Sequence, residues 1–172
     1  MYKRQIVIDA DALNCIAKRP ALMEQVPELS ILTPHLGELE RLIGKWDDDF
    51  DKLEKTSQYA KKHNVIILIK GAHTVTVYDE KFYINTSGNP GLSTAGTGDV
   101  LTGVITGLLA QQYHPVEASM MGAFLHGLAG DIAVNQYGVE GLIASDVVSF
   151  LGRAVMDLFA KPEEAQAQEQ GA

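Results

Sequence analysis

Ser87-Gly88-Asn89-Pro90-Gly91-Leu92-Ser93-Thr94-Ala95-Gly96-Thr97-Gly98 is a run of small residues that opens directly into an apolar helical stretch from about Asp99 to Gln111. A glycine-rich loop ending at a helix start gathers unsatisfied N–H groups and the positive end of the helix dipole at one point, which makes an anion site. Gly96, Thr97 and Gly98 stand at that point; the glycines admit close approach of a ligand to the backbone, and Thr97 adds a hydroxyl donor. Asp99 is the first charged side chain beyond it. A carboxylate beside a phosphate is costly, and the cost makes sense for a base that takes a proton from a hydroxyl attacking a terminal phosphoryl group. An acid in a first helical turn also complements the dipole with no chemistry at all, and spacing alone does not choose between the two. The loop is neither a Walker sequence nor a GxGxxG fingerprint, so the pattern by itself stops at an anion site.

Upstream, the chain reads as alternating strands and helices. Gln5 to Ala10 is a short strand ending in the polar cluster Asp9, Asp11 and Asn14, and Ser30 to Leu32 is another, running through Thr33-Pro34 into a helix that begins near His35 or Leu36 and stops at Gly44. Between them a helix over Leu13 to Gln25 is interrupted by Pro20. A charged helix from about Phe50 to His63 reads as a solvated surface element, and Val65 to Ile69 is a continuous apolar run of the kind found in a central parallel strand. Thr74 to Tyr78 and Phe82 to Asn85 flank Asp79-Glu80-Lys81 as an edge hairpin. These signals predict an α/β fold with a mostly parallel central sheet flanked by helices and an antiparallel edge hairpin. The hydrophobic first strand, with little chain before it, predicts an interior position and a missing N-terminal part of the fold.

Downstream, Gly103 and Gly107, and then Gly122, His126 and Gly130 in a helix from about Val116 to Gln136, recur at four-residue spacing and predict close helix packing. A last helix covers Ser145 to Phe159. Residues 1–160 are expected to form one partial domain, and Lys161 to Ala172, without an apolar stripe, a disordered tail.

Composition narrows the function. With 172 residues, 46% of them hydrophobic, the chain can bury one sizeable core. A formal charge of -8 with scattered basic residues disfavours nucleic acid. No apolar run approaches the roughly 18 residues of a membrane span, so the expected setting is cytoplasmic, without a membrane partner. The single Cys15 permits no internal disulfide. His63, His73, His114 and His126 lack ligand spacing and read as structural or solvated, and Trp46 reads as a surface anchor.

Four motifs in order decide more. Val7-Ile-Asp-Ala-Asp-Ala-Leu-Asn14, Leu32-Thr-Pro-His-Leu-Gly-Glu38, Ile69-Lys-Gly-Ala-His-Thr74 and Asn89-Pro-Gly-Leu-Ser-Thr-Ala-Gly-Thr-Gly-Asp-Val-Leu-Thr-Gly103 resemble the ADP- or ATP-dependent NAD(P)H-hydrate dehydratase family of the ribokinase-like fold, over roughly residues 6 to 155. The resemblance implies dehydration of hydrated NADH or NADPH coupled to hydrolysis of ADP or ATP, with Mg2+, as metabolite repair, in a homo-oligomer. It implies that Lys70, Gly71, Ala72, His73 and Thr74 line the adenine nucleotide, and that Asn89, Gly91, Gly96, Thr97 and Gly98 wrap its phosphates. Asp99 would be the catalytic base, and His35, with Glu38 and Arg41, would contact the hydrated nucleotide. Asp9, Asp11 and Asn14, at a strand's carboxyl end, would hold the substrate or a magnesium-water shell, with Asp11 reaching the metal through water. The residues themselves leave simpler readings open: Lys70 snorkelling from a strand end, His35 finishing a turn, Asp9 and Asp11 capping the next helix. Two other functions share these motifs in part, a small-molecule kinase of the same superfamily and a non-catalytic nucleotide-binding fragment.

Overall fold

In the computed structural model, which describes residues 4–160, the run after Asn64 becomes the middle strand of a five-stranded sheet. Strands β1 (Val7–Ile8), β2 (Ile31–Leu32) and β3 (Ile66–Ile69) run parallel, and β4 (Val75–Tyr78) and β5 (Lys81–Ile84) follow as an antiparallel hairpin, in the order β1-β2-β3-β4-β5. Tyr78 pairs with Lys81 across Asp79 and Glu80, whose φ values of 48° and 62° are the left-handed pair that suits a two-residue hairpin turn. The α/β class, the mostly parallel sheet and the antiparallel edge are therefore as expected. β1 is shorter than its apolar run, stands at one end of the described order rather than inside it, and follows an exposed Ile6.

The described chain divides into two compact units, residues 4–86 with 101–123 and residues 87–100 with 124–160. The first unit holds the sheet. Strand alternation sends Ile67 and Ile69 into one core with Leu13, Ile16, Leu32, Leu39 and Ala60, and Ile66 and Leu68 into another with Ile31, Leu101, Ile105 and Val116. Helices α1 (Asp11–Lys18), α2 (Leu36–Ile43) and α3 (Asp49–His63) supply the first core; α4 (Thr97–Ala110) and α5 (Pro115–Tyr137) supply the second. All four residues of β3 are buried, which is why that segment carries no polar alternation. Pro20 ends the run of α1, and Pro20–Gln25 continue as a 3₁₀ turn.

Two expectations about helix faces need correction. Charged α3 is half-buried: Thr56, Ser57 and Ala60 face the core, and Trp46 is partly buried against it. Among the glycines, a Cβ on Gly122 would lie 2.6 Å from Ile105 Cγ1, so glycine there permits close packing. Gly103 and Gly107 have nothing within 4 Å of an added Cβ, because α4 buries Leu101, Ile105 and Leu108 on its other side.

The second unit comprises the glycine-rich loop with its 3₁₀ turn Pro90–Ser93, the first turn of α4, the later part of α5, and α6 (Ala144–Phe159). Leu125, Ala129, Ala133, Leu142, Val147 and Ala154 are its buried apolar residues, and the Tyr137 and Phe150 rings meet edge to face at 6.3 Å. The expected tail, 161–172, lies outside the described residues. Among those described, no helix is long and apolar enough to cross a membrane.

Candidate functional site

Parallel strands β1, β2 and β3 bring their carboxyl ends to one side of the first unit, the side on which open α/β sheets place ligands. Lys70, just past β3, sets its Nζ 2.6 Å from Asp9 Oδ1 and 4.0 Å from Glu38 Oε2. Its backbone N–H donates to the Pro34 carbonyl at 2.8 Å, which fastens the β2 and β3 ends together. Asp9 also accepts from the Ala10 N–H and from Thr102 Oγ1 of α4 at 3.3 Å. Both of its oxygens are thus engaged, and the N-cap of α1 is Ala10, which makes no side-chain cap bond. Capping by Asp9 is excluded by these contacts, and Lys70 turns back to the carboxylates instead of snorkelling outward. Ala10 holds a φ of 51°, a left-handed conformation that costs an L-residue energy and lies directly beside Asp9.

His35 caps α2. Its Nδ1 accepts from the Gly37 and Glu38 N–H groups at 3.0 and 3.3 Å, and Glu38 Oε2 accepts from the His35 N–H at 2.9 Å, closing a capping box with histidine in the place of serine. The His35 side chain remains 54% exposed and that of Glu38 only 7%. Arg41 Nη1 donates to Asn14 Oδ1 at 2.9 Å, and Asn14 Nδ2 to Asp11 Oδ1 at 3.4 Å. These three residues line a recess of about 510 Å3 with Ala17 and Lys18. Gly71, Ala72 and His73 form an exposed bend, and Thr74 Oγ1 lies 3.5 Å from the Gly71 carbonyl.

In the second unit the expected anion loop is a built structure. Gly96, at φ 88°, precedes Thr97, and its carbonyl accepts from the Val100 N–H at 3.1 Å as the first bond of α4. The N–H groups of Thr97, Gly98 and Asp99 open the helix and have no intrahelical acceptor. Asp99 is exposed, and among the described residues it makes no hydrogen bond or ion pair. The Thr97 hydroxyl is not a free donor: it bonds the Leu92 carbonyl at 2.6 Å and lies 2.9 Å from that of Thr94, so its proton is committed within the loop and only its backbone N–H is left to face a ligand. Asn89 caps the 3₁₀ turn by accepting from the Gly91 N–H at 3.0 Å.

α5 carries the bed of this loop. Asp131 accepts from the Gly88 N–H and from Asn89 Nδ2, each at 2.8 Å, and Ser87 Oγ donates to the Phe124 carbonyl. Added Cβ atoms on Gly127 and Gly130 would strike Ser87 and Leu92. His126 is buried beside the Thr97 backbone, and its Nε2 has no hydrogen-bond partner among the described residues. His126 read from the sequence as structural or solvated, and neither Asp131 nor Thr102 stood out there. The signal for Asp131 was its charge: with Glu117 it makes up all the Asp, Glu, Lys and Arg of a 23-residue helix.

The residues present fit a magnesium ion only in one manner. Among those described, no three His, Cys, Asp or Glu could jointly hold a metal, and Asp9 is already matched to Lys70. Exposed Asp11 is suited to an ion that brings its own phosphate and water ligands, the usual habit of Mg2+.

Comparison with known proteins bears on the fold and the family. A ribokinase-like superfamily protein from Enterococcus faecalis superposes with a TM-score of 0.78 at 28% identity, over 94% of this chain and 56% of that one, which defines the fold as ribokinase-like. The family model for NAD(P)H-hydrate dehydratase matches residues 2–153, and the chain belongs to that family. The bifunctional NAD(P)H-hydrate repair enzyme Nnr of Moorella thermoacetica is 43% identical over 155 residues, 88% of this chain and 29% of that protein. The ADP/ATP-dependent NAD(P)H-hydrate dehydratase of Bacillus subtilis, co-crystallised with ATP and Mg2+, gives a TM-score of 0.78 at 30% identity, covering 90% of this chain and 55% of its own. The chain thus spans about a third to a half of the relatives it matches.

Proposed function

We propose that this chain takes part in nucleotide-dependent dehydration of hydrated NADH or NADPH, as the names of its relatives suggest. The observation that carries the proposal is the start of α4, where Gly96 turns the backbone and Asp99 stands exposed and unpaired, among the described residues, two positions after the first helical residue.

A hydroxyl on a saturated carbon leaves poorly as hydroxide and well as phosphate. Asp99 would take the proton of the ring hydroxyl as its oxygen attacks the terminal phosphorus of ADP or ATP, releasing AMP or ADP. The backbone N–H groups of Thr97 and Gly98 would steady the charge on the transferred group, with Asn89 and Gly91 shaping the loop before them. The phosphate ester then breaks at its carbon–oxygen bond, a proton leaves the adjacent carbon, and the reduced ring and inorganic phosphate remain. Lys70, Gly71, Ala72, His73 and Thr74 are assigned to the adenine nucleotide, and His35, Glu38, Asp9 and Asn14 to the hydrated substrate. Magnesium, when bound, would offset phosphate charge, with Asp11 its nearest candidate through water.

The test is recovery of the near-ultraviolet absorbance of NADH from its hydrate with ADP or ATP, by this chain and by Asp99→Ala. Recovery that depends on nucleotide and is lost in Asp99→Ala supports the assignment. A phosphorylated product that accumulates without recovery supports a kinase, and nucleotide binding without recovery, in this chain and in one extended at its N-terminus to the length of its relatives, overturns the dehydratase.

A further inference from the structure

We propose that Asp131 is the positioning residue of the phosphate-binding loop, fixing Asn89 and the Gly88 and Gly91 amides from beneath; this rests on reading that loop as the nucleotide-phosphate site. A carboxylate accepts hydrogen bonds and cannot donate them. With one Asp131 oxygen 2.8 Å from Asn89 Nδ2, the Asn89 amide has a single orientation, its NH2 toward Asp131 and its oxygen toward the Gly91 N–H at 3.0 Å. The other oxygen holds the Gly88 N–H at 2.8 Å. One charged side chain therefore sets three points of the loop, Gly88 and Asn89 directly and Gly91 through Asn89.

The surroundings allow little slack. An added Cβ on Gly91 would lie 2.9 Å from Asn89 Oδ1 and 3.1 Å from Leu142 Cδ2, and one on Gly130 would lie 2.7 Å from Leu92 Cδ2. Loop and helix meet at Gly88, whose added Cβ would lie 3.5 Å from Gly127 Cα, and at Gly130, so the polar relay is laid down at short range. Asp131 spends its charge on two N–H donors of the protein, so it acts on a bound phosphate through the loop rather than by touching it. An asparagine at 131 would lose the charge and, with its own NH2 turned toward one of the two donors, would satisfy only the other.

The test compares this chain with Asp131→Asn, Asp131→Glu, Asn89→Ala and the Asp131→Asn/Asn89→Ala double variant. Calorimetric affinities for ADP and ATP are measured together with hydrogen exchange at the Gly88 and Gly91 amides in the absence of nucleotide. Asp131→Asn should weaken nucleotide binding roughly tenfold or more and speed exchange at both amides. Asp131→Glu should recover part of each effect, and the double variant should be no worse than the poorer single one, since the two residues form one relay. Wild-type affinity and protection in Asp131→Asn would overturn the proposal. Should that variant fail to fold, Asn89→Ala decides, because unchanged Gly91 exchange in it is equally fatal. If the parent chain binds neither nucleotide, the phosphate reading falls, and exchange at Gly88 and Gly91 still shows whether Asp131 holds the loop.

Discussion

Lys70 Nζ and Asp9 Oδ1 lie 2.6 Å apart although 61 residues separate them in the chain. They extend from the ends of β3 and β1, with β2 between, and both side chains are largely withdrawn from water, at 23% and 12% exposure. The pair ties one lysine to a carboxylate that Thr102 of α4 also holds.

Removing one partner leaves the other charge poorly solvated. Lys70→Met should cost about 1–3 kcal/mol of folding stability. The double variant with Asp9→Asn should lose less than the sum of the single losses. Urea unfolding of the four proteins checks this; additive losses would show that the pair is not coupled.

His35 separates a capping role from a binding role. His35→Ala should lower stability by about 1 kcal/mol through loss of the α2 cap, and His35→Ser should restore most of it. If the half-exposed ring also contacts substrate, His35→Ser will regain the unfolding midpoint without regaining turnover. Regain of both would leave the ring with no role beyond the cap.

The glycines of α4 and α5 should behave in opposite ways. Gly122→Ala and Gly127→Ala place a Cβ against Ile105 and Ser87 and should each cost about 1–3 kcal/mol. Gly103→Ala and Gly107→Ala, exposed with open space around them, should each stabilise the chain by about 0.5–1 kcal/mol. Thermal midpoints of the four variants measure the contrast directly.

Burial holds the His126 pKa below its ordinary value of 6.5, opposed by the backbone hydrogen bond at Thr97. The unfolded chain then takes up a proton more readily than the folded one. The contribution of His126 to stability is therefore full above about pH 6.5 and is lost as pH falls from there through the lowered folded pKa. His126→Gln should flatten that slope of unfolding free energy against pH, and an unchanged slope would place the acid sensitivity elsewhere, with His63, also lowered by burial, the next candidate.

Much of the architecture was legible because it is written in local signals. The buried strand β3 announced itself by five consecutive apolar residues, Gly44 and Pro20 marked helix ends, and the hairpin turn fell within the expected Asp79-Glu80-Lys81, with Lys81 belonging to β5 instead of to the turn. The course of the glycine-rich loop into the start of α4 was legible for the same reason, since a run of small residues before an apolar stretch marks a loop and a helix start, although spacing left the use of that loop open. The faces of the helices were less legible: four-residue spacing is identical for Gly103 and Gly107, which look outward, and for Gly122, which packs. Spacing defines a stripe but not the neighbour it meets.

Sequence alone determined the element order, the mostly parallel sheet and the family, since these follow from periodicity, turn chemistry and motifs read within short windows. Only the tertiary structure decided which charges answer one another. It matched Lys70 to Asp9, made His35 a cap, committed the Thr97 hydroxyl to its own loop and set Asp131 under Asn89. Such pairings join residues far apart in the chain, and which of several equally suitable polar groups meet depends on the packing of strands and helices between them.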